Sequence, residues 1–114
     1  GGDTFDGGSL IPVSIVERLN TANIAAGWDD AGVADLPLPL SGIEGCDESR
    51  AFGFNTISPF TGMEGKIVLA GCGQWPGTVS DAFIYDVATN IWQAWEFLNE
   101  ARRNHAGDVG LRRL

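Results

Sequence analysis

Few residues of this chain carry side chains suited to catalysis or metal binding. His105 is the single histidine, and it could serve as a general base or as a copper ligand. Because metal sites need two or more ligands and no second histidine exists, we interpret His105 as structural. The neighbouring carboxylates Asp29 and Asp30, or Asp47 and Glu48, could form the acid and base of a glycosidase. Adjacent side chains on a strand point to opposite faces, so solvated loops are the favoured interpretation.

Two other charged clusters have both a binding and a structural interpretation. Residues 3–8 alternate oxygen-bearing side chains before a glycine turn, as a calcium loop does, but the full loop pattern ending in a bidentate Glu is missing. A plain turn is therefore favoured. The basic patch of the chain comprises Arg102, Arg103, Arg112 and Arg113. It could meet an acidic partner, and the alternative is a set of solvated strand flanks.

The composition argues against several classes of function. A formal net charge of −8 disfavours unspecific binding to nucleic acid or to anionic membranes, because both favour basic surfaces. No apolar run reaches the ~20 residues that a membrane helix needs. The two cysteines form no C-x-x-C motif and one His cannot complete their ligand set, so no zinc site is expected.

The elements that must position these residues are mainly strands. Helical periodicity is scarce, whereas short apolar runs bounded by Gly, Pro, Asn and Asp recur in the second half of the chain. These runs predict strands over 51–57, 66–71, 82–86 and 91–95. Short strands joined by turns indicate one four-stranded antiparallel meander and an all-β fold.

A set of spaced residues in this region resembles a kelch repeat. The set is Gly71-Cys72-Gly73, Tyr85-Asp86, Thr89-Asn90-Ile91-Trp92 and Arg102-Arg103-Asn104-His105-Ala106. In that family a strand ends at paired glycines, Tyr-Asp and Thr-Asn-x-Trp follow, and Arg-x-x-His-Ala opens the next strand. The resemblance covers residues 66–107 and is degenerate over 1–57, where Leu19 occupies the place of the usual Tyr. A cysteine also interrupts the glycine pair.

The resemblance implies a kelch-type β-propeller of the galactose-oxidase-like superfamily, made of four-stranded antiparallel blades. Residues 1–48 would then hold the end of one blade, with strands over 13–19 and 26–36, and a long connecting loop. Residues 49–98 would form one complete blade, whose last strand reaches residue 97. Residues 99–114 would begin the next blade with a strand over 105–111. The chain is expected to be a fragment of about one and a half blades, and its partners are the remaining blades or other protein chains.

The resemblance also implies roles for single residues. Tyr85 and Trp92 would fill the space between blades, and Asp86 and Asn90 would close the turn between their strands through side-chain to backbone hydrogen bonds. His105 would open the next strand. Arg102 would pair with a neighbouring blade.

The blade topology allows a disulfide between Cys46 and Cys72, which we predict. Cys46 precedes the first strand of the blade and Cys72 follows the second, and these ends of antiparallel neighbours lie at the same edge. Pairing 51–58 with 66–73 places Cys72 nearer Phe52 than Cys46, so the loop over 46–49 must fold back. The alternative is two unpaired thiols. A disulfide implies an oxidising compartment, and hence an extracellular, cell-surface or periplasmic location.

Gln74 and Trp75 lie in the predicted loop between the second and third strands of the blade. An exposed aromatic side chain there could stack on a sugar ring or anchor a protein partner, so carbohydrate is a possible ligand. Trp75 could equally cap its own loop.

The sequence thus leaves two classes of function. The first is a non-catalytic interaction or structural module of a larger secreted or surface assembly, for which no cofactor is expected. The second is a piece of a secreted kelch-type enzyme resembling a radical-copper oxidase, or of a carbohydrate-binding propeller. Such an oxidase needs two Tyr, two His and a Cys cross-linked to a Tyr, whereas this chain has one Tyr and one His. We therefore expect no enzymatic site in this chain, and copper content and an optical spectrum would distinguish the two.

Overall fold

The computed structural model describes residues 2–38, 42, 46, 49–54, 62–72, 77–102 and 105–106. The fold is all-β, as the sequence predicts, with one 3₁₀ turn at Ile24–Ala26. The strands are β1 (Asp3–Asp6), β2 (Ser9–Pro12), β3 (Arg18–Leu19), β4 (Trp28–Asp29), β5 (Arg50–Gly53), β6 (Lys66–Ala70), β7 (Ala82–Asp86) and β8 (Ile91–Ala94). β1 pairs with β2 and β3 with β4, each antiparallel, and the other four form one sheet.

The four-stranded sheet has the order β5-β6-β7-β8, and every neighbouring pair is antiparallel. The predicted meander is therefore confirmed. β7 has its predicted bounds, β6 and β8 each end one residue early, and β5 begins one residue early. Residues 55–57 of the first predicted strand lie outside the described residues. β6 stops at Ala70 because Gly71 takes a φ of 74°, a left-handed conformation outside strand geometry. β8 stops at Ala94, although Trp95 still donates its backbone N–H to the carbonyl of Ala82 at 2.9 Å.

The register of β5 on β6 differs from the expected one. Phe52 lies opposite Val68, and Arg50 lies opposite Ala70. The predicted register, which put Phe52 opposite Cys72, is therefore wrong by four residues. A shift by an even number of residues leaves every side chain on the same face, so the alternation of apolar residues could not detect it.

One face of this sheet carries the core. Leu69 and Phe83 project from β6 and β7 and pack with Leu36, Cys46 and Cys72, all less than a tenth exposed. Partly buried side chains around this cluster include Val16, Val79 and Trp92. The buried core therefore joins the sheet to residues 2–38, which we call the N-terminal arm.

The arm departs most from the expected structure. Of the predicted strands over 13–19 and 26–36, only β3 and β4 form, and they pair through two residues each. The β1–β2 hairpin was not predicted, since its residues lack a clear apolar alternation. Its turn consists of Gly7 and Gly8, whose φ values are 56° and 89°. Two-residue hairpin turns need such positive φ values, which glycine adopts readily.

Hydrogen bonds hold the arm in place. The backbone N–H of Leu36 donates to the carbonyl of Ser14 at 2.8 Å, and that of Val13 donates to the carbonyl of Gly2 at 2.7 Å. The Val13 bond extends the β1–β2 pairing by one residue, and the Leu36 bond joins the last part of the arm to the segment after β2.

At the other end of the described chain, His105 and Ala106 belong to no strand. The remainder of the strand expected over 105–111 lies outside the described residues.

Candidate functional site

The turn between β7 and β8 connects the sheet to the arm. Tyr85 and Trp92 lie side by side with ring centroids 4.8 Å apart, and the Tyr85 hydroxyl donates to Asn90 Oδ1 at 2.6 Å. The same Asn90 oxygen accepts the backbone N–H of Ala34 at 2.7 Å, and Trp92 Nε1 donates to the Ala34 carbonyl at 3.0 Å. Ala34 is therefore held by both of its backbone polar groups.

The side chains of Asp86 and Asn90 form different hydrogen bonds at this turn. Asp86 Oδ1 accepts the N–H of Ala88 at 3.0 Å, a side-chain to backbone bond within the turn as expected. Asn90 takes a φ of 57°, which asparagine tolerates better than most residues, and its side chain reaches out of the turn to the arm. The side-chain to backbone bond expected of Asn90 within the turn is not among the hydrogen bonds of the described residues, and the sequence alone did not indicate its bonds to Ala34 and Tyr85.

The disulfide between Cys46 and Cys72 is present, as predicted. Cys72 is fully buried and Cys46 nearly so, and their Cα atoms are 4.1 Å apart. Cys46 has a φ of 48° and its carbonyl accepts the N–H of Ser49, which makes the sharp bend that brings it back to β6. The bridge lies within the core cluster and ties the connection after the arm to the sheet.

His105 packs directly against Gly71. A side chain at Gly71 would overlap the imidazole of His105 and lie 2.7 Å from the carbonyl oxygen of Arg102. Among the described residues, the buried Nδ1 atom of His105 has no hydrogen-bond partner. Burial, followed by the positive charges of Arg50 and Arg102, lowers the pKa of His105 from its ordinary value of 6.5. The imidazole therefore packs on Gly71 and its neutral form is favoured, whereas the strand that His105 was expected to open does not begin at this residue.

Of the other candidate residues, Asp29, Asp30 and Arg102 lie in the part of the chain that the structure describes. Asp29 Oδ1 accepts the N–H of Ala31 at 2.8 Å in an exposed turn, which agrees with the solvated-loop interpretation of Asp29 and Asp30. Within the described residues, no three His, Cys, Asp or Glu side chains are grouped so as to hold a metal ion. Arg102 Nη2 lies 3.8 Å from Glu100 Oε2 in an exposed ion pair, and an expected pairing with another blade stays a prediction. Several candidates lie outside the described residues: Asp47, Glu48, Gln74, Trp75, Arg103, Arg112 and Arg113.

A cleft of about 710 Å³ lies between the arm and the core face of the sheet. The sheet contributes Ile67, Leu69, Tyr85 and Trp92 to its lining. Apolar side chains of the arm form the opposite wall. Sequence reasoning missed this cleft, because residues far apart in the chain, such as Leu36 and Tyr85, line it together and only packing brings them close.

Large hydrophobic side chains are exposed on two parts of the structure. On the arm they are Phe5, Leu10, Ile11, Ile15, Ile24, Trp28 and Leu38, and at β8 and its flanks they are Val87, Ile91, Trp95 and Phe97. Scattered single exposed hydrophobics are common, whereas contiguous apolar patches mark interaction surfaces.

Comparison of the sequence with models of known protein families gives no match, and comparison with curated proteins gives none either. Among the residues that the structure describes, no helix has the length and apolar character needed to cross a membrane.

Proposed function

We propose that this chain is a non-catalytic, kelch-type propeller segment that binds other protein surfaces within a larger secreted or surface assembly. The spacing of Gly71, Tyr85, Asn90 and Trp92 supports the kelch assignment, and the sequential antiparallel sheet is compatible with a blade. The disulfide supports an oxidising compartment.

The observation that carries the proposal is the apolar outer edge of the sheet. β8 is an edge strand, and beyond it the chain continues beside β7, where the Leu98 N–H donates to the Ser80 carbonyl at 2.8 Å. Along this edge Ile91, Trp95 and Phe97 are 51 %, 44 % and 56 % exposed. We call these three residues the β8 patch.

An exposed apolar edge is costly for a protein that functions alone. Edge strands present backbone groups ready to pair with another chain, and natural proteins usually protect such edges with charged side chains or proline. The β8 patch instead offers one tryptophan and two other large hydrophobic groups, and aromatic side chains dominate binding hot spots. A covering protein surface would remove this apolar area from water.

Sedimentation velocity of the 114-residue chain over a concentration series tests the proposal. We expect reversible, concentration-dependent association, because a surface built to be covered by protein will be covered by a second copy when its own partner is missing. The triple variant Ile91→Ser, Trp95→Ser, Phe97→Ser should remain monomeric.

A matched triple variant on the β1–β2 hairpin serves as the control: Phe5→Ser, Leu10→Ser, Ile11→Ser. It removes a similar amount of exposed apolar surface and should leave the association unchanged. A wild-type chain that stays monomeric throughout the series, or an association that only the hairpin variant abolishes, would contradict the proposal.

A further inference from the structure

The arm carries a groove of its own beside the β3–β4 pair. Its volume is about 560 Å³, and it is lined by Val13, Ile15, Val16, Glu17, Trp28 and Asp30. Four of these residues are apolar and two are acidic, and no basic residue of the described chain lines the groove. We call it the Trp28 groove.

Two apolar side chains of the Trp28 groove are open to a partner. Trp28 is 65 % exposed and Ile15 is 45 % exposed. Tryptophan is the aromatic side chain that attracts cations most strongly, and it is enriched where binding energy concentrates at protein interfaces. The groove therefore offers both apolar surface and an aromatic face.

The register of β3 on β4 places two carboxylates beside Trp28. Leu19 lies opposite Trp28, so both side chains are on one face of the strand pair. Glu17 and Asp30 are each two residues further along, which puts them on that same face and opposite each other in extended chain. Like charges at opposite positions repel, and within the described residues neither carboxylate forms an ion pair. A positive group placed between them would be attracted by both.

The acidic wall of the groove is formed before any partner binds. The Ala31 N–H donates to Asp29 Oδ1 at 2.8 Å, and the Ala31 carbonyl accepts Arg18 Nη2 at 3.1 Å. Both backbone polar groups next to Asp30 are thus bound, which fixes the chain that carries this carboxylate. Arg18, the one basic residue of the arm, does not line the groove. A preformed site avoids part of the ordering cost of binding.

From these observations we infer that the Trp28 groove binds an arginine of a protein partner, in a segment whose neighbouring residues are apolar. The guanidinium would stack on Trp28 and meet the carboxylates of Glu17 and Asp30, while the apolar neighbours would cover Val13 and Ile15. Arginine suits this role because its planar group stacks on aromatic rings and its N–H groups match carboxylate oxygens.

The charge of the arm supports the same kind of partner. The arm contains six acidic residues and one basic residue, so a basic segment would be attracted to it at long range as well. The inference does not rest on the β8 patch, because none of the three patch residues lines the Trp28 groove.

Titration of the isotope-labelled full chain with the peptide acetyl-Ala-Leu-Arg-Leu-Ala-amide, followed by NMR, tests the inference. The matched peptide has citrulline in place of arginine, which keeps the shape of the side chain and removes its charge. We expect the arginine peptide to shift the Trp28 indole N–H resonance and the Ile15 amide resonance. The citrulline peptide should bind about tenfold more weakly, because exposed ion pairs and a cation–π contact each contribute a factor of a few.

Two matched pairs of variants locate the binding. Glu17→Gln with Asp30→Asn should weaken the arginine peptide about tenfold, whereas Asp6→Asn with Glu96→Gln removes two exposed negative charges outside the groove and should have no effect. Trp28→Leu should weaken the arginine peptide about threefold, and Trp95→Leu in the β8 patch should not. In each variant the β6 and β7 amide resonances should stay in place, which shows that the chain is folded.

Three results would overturn the inference. The first is a wild-type chain whose groove resonances do not shift at millimolar arginine peptide, or that binds both peptides equally. The second is equal weakening by the two charge-removing pairs, which would mean that the peptide responds to net charge alone. The third is binding that Trp95→Leu weakens and Trp28→Leu does not, which would place the peptide on the β8 patch.

Discussion

Trp92 Nε1 donates a hydrogen bond to the carbonyl oxygen of Ala34, 58 positions earlier in the chain, at 3.0 Å. The backbone N–H of the same Ala34 is bound by Asn90, whose side chain also accepts the Tyr85 hydroxyl. A single backbone unit of the arm is thereby bound to two adjacent parts of the sheet, the turn and β8. This contact is the one on which the integrity of the cleft depends most directly.

Asn90→Gly should lower the free energy of unfolding by about 1–3 kcal/mol, because it removes the acceptor of two partly buried hydrogen bonds while tolerating the positive φ. Asn20→Gly is the matched control, since Asn20 accepts one exposed N–H from Ala22. This variant makes the same Asn-to-Gly change and should lower the free energy of unfolding by less than Asn90→Gly does. Urea unfolding followed by tryptophan fluorescence measures both, and equal losses would show that the Asn90 network is not stabilising.

Gly71→Ala should destabilise the chain more than Gly65→Ala. Both glycines have φ near 70°, so both variants introduce backbone strain of about 1 kcal/mol. A Cβ at Gly65 meets nothing within 4 Å, whereas one at Gly71 overlaps His105 and approaches the Arg102 carbonyl. We expect an additional loss of about 1–3 kcal/mol for Gly71→Ala, the usual cost of overpacking.

The position of His105 provides a second measurement on the same variant. Because the chain has one histidine, its Cε1 proton resonance is unambiguous by NMR. Gly71→Ala should shift this resonance toward the value of a solvent-exposed histidine, and Gly65→Ala should leave it unchanged. An unshifted resonance would mean that His105 does not rest on Gly71 in solution.

Stability should fall as the solution becomes acidic. Since the pKa of His105 is lowered in the folded chain, the unfolded chain binds a proton first when the pH drops through 6.5. The contribution of His105 to stability is therefore constant above this range, decreases as the pH falls from 6.5 toward the folded-state pKa, and is constant again below it. An NMR titration should give a pKa below 6.5, and Arg50→Gln should raise it by removing a positive charge. A pKa of 6.5 or higher in the native chain would contradict this.

Reduction of the disulfide should destabilise the chain by about 3.5 kcal/mol, the chain-entropy cost of a loop closed by two cysteines 26 positions apart. The variant Cys46→Ala, Cys72→Ala, compared with the wild type in urea under non-reducing conditions, measures this loss. Thiol titration of the unfolded, unreduced wild type is the control and should find no reactive thiol. Two reactive thiols per chain would exclude the bridge.

The local features of this protein could be predicted from its amino-acid sequence. Apolar runs between turn residues located β6 and β7, and their order along the chain gave the antiparallel meander. Strands that follow one another in the chain and are joined by short turns pair with each other. The alternation of apolar residues and the turn residues were therefore sufficient to predict the strand order. The same topology permitted the Cys46–Cys72 pair, with two unpaired thiols as the alternative, and the structure contains the disulfide.

Contacts between residues distant in the chain could not be predicted from the sequence, because they arise from tertiary packing. The register of Phe52 opposite Val68, the hydrogen bonds of Asn90 to Ala34, and the packing of His105 on Gly71 all join parts of the chain that no local pattern relates. A shift of four residues preserves the faces of a strand, and a backbone carbonyl such as that of Ala34 has the same chemistry at every position. These contacts depend on how the arm and the sheet pack as a whole, and the cleft that they enclose exists only because of that packing.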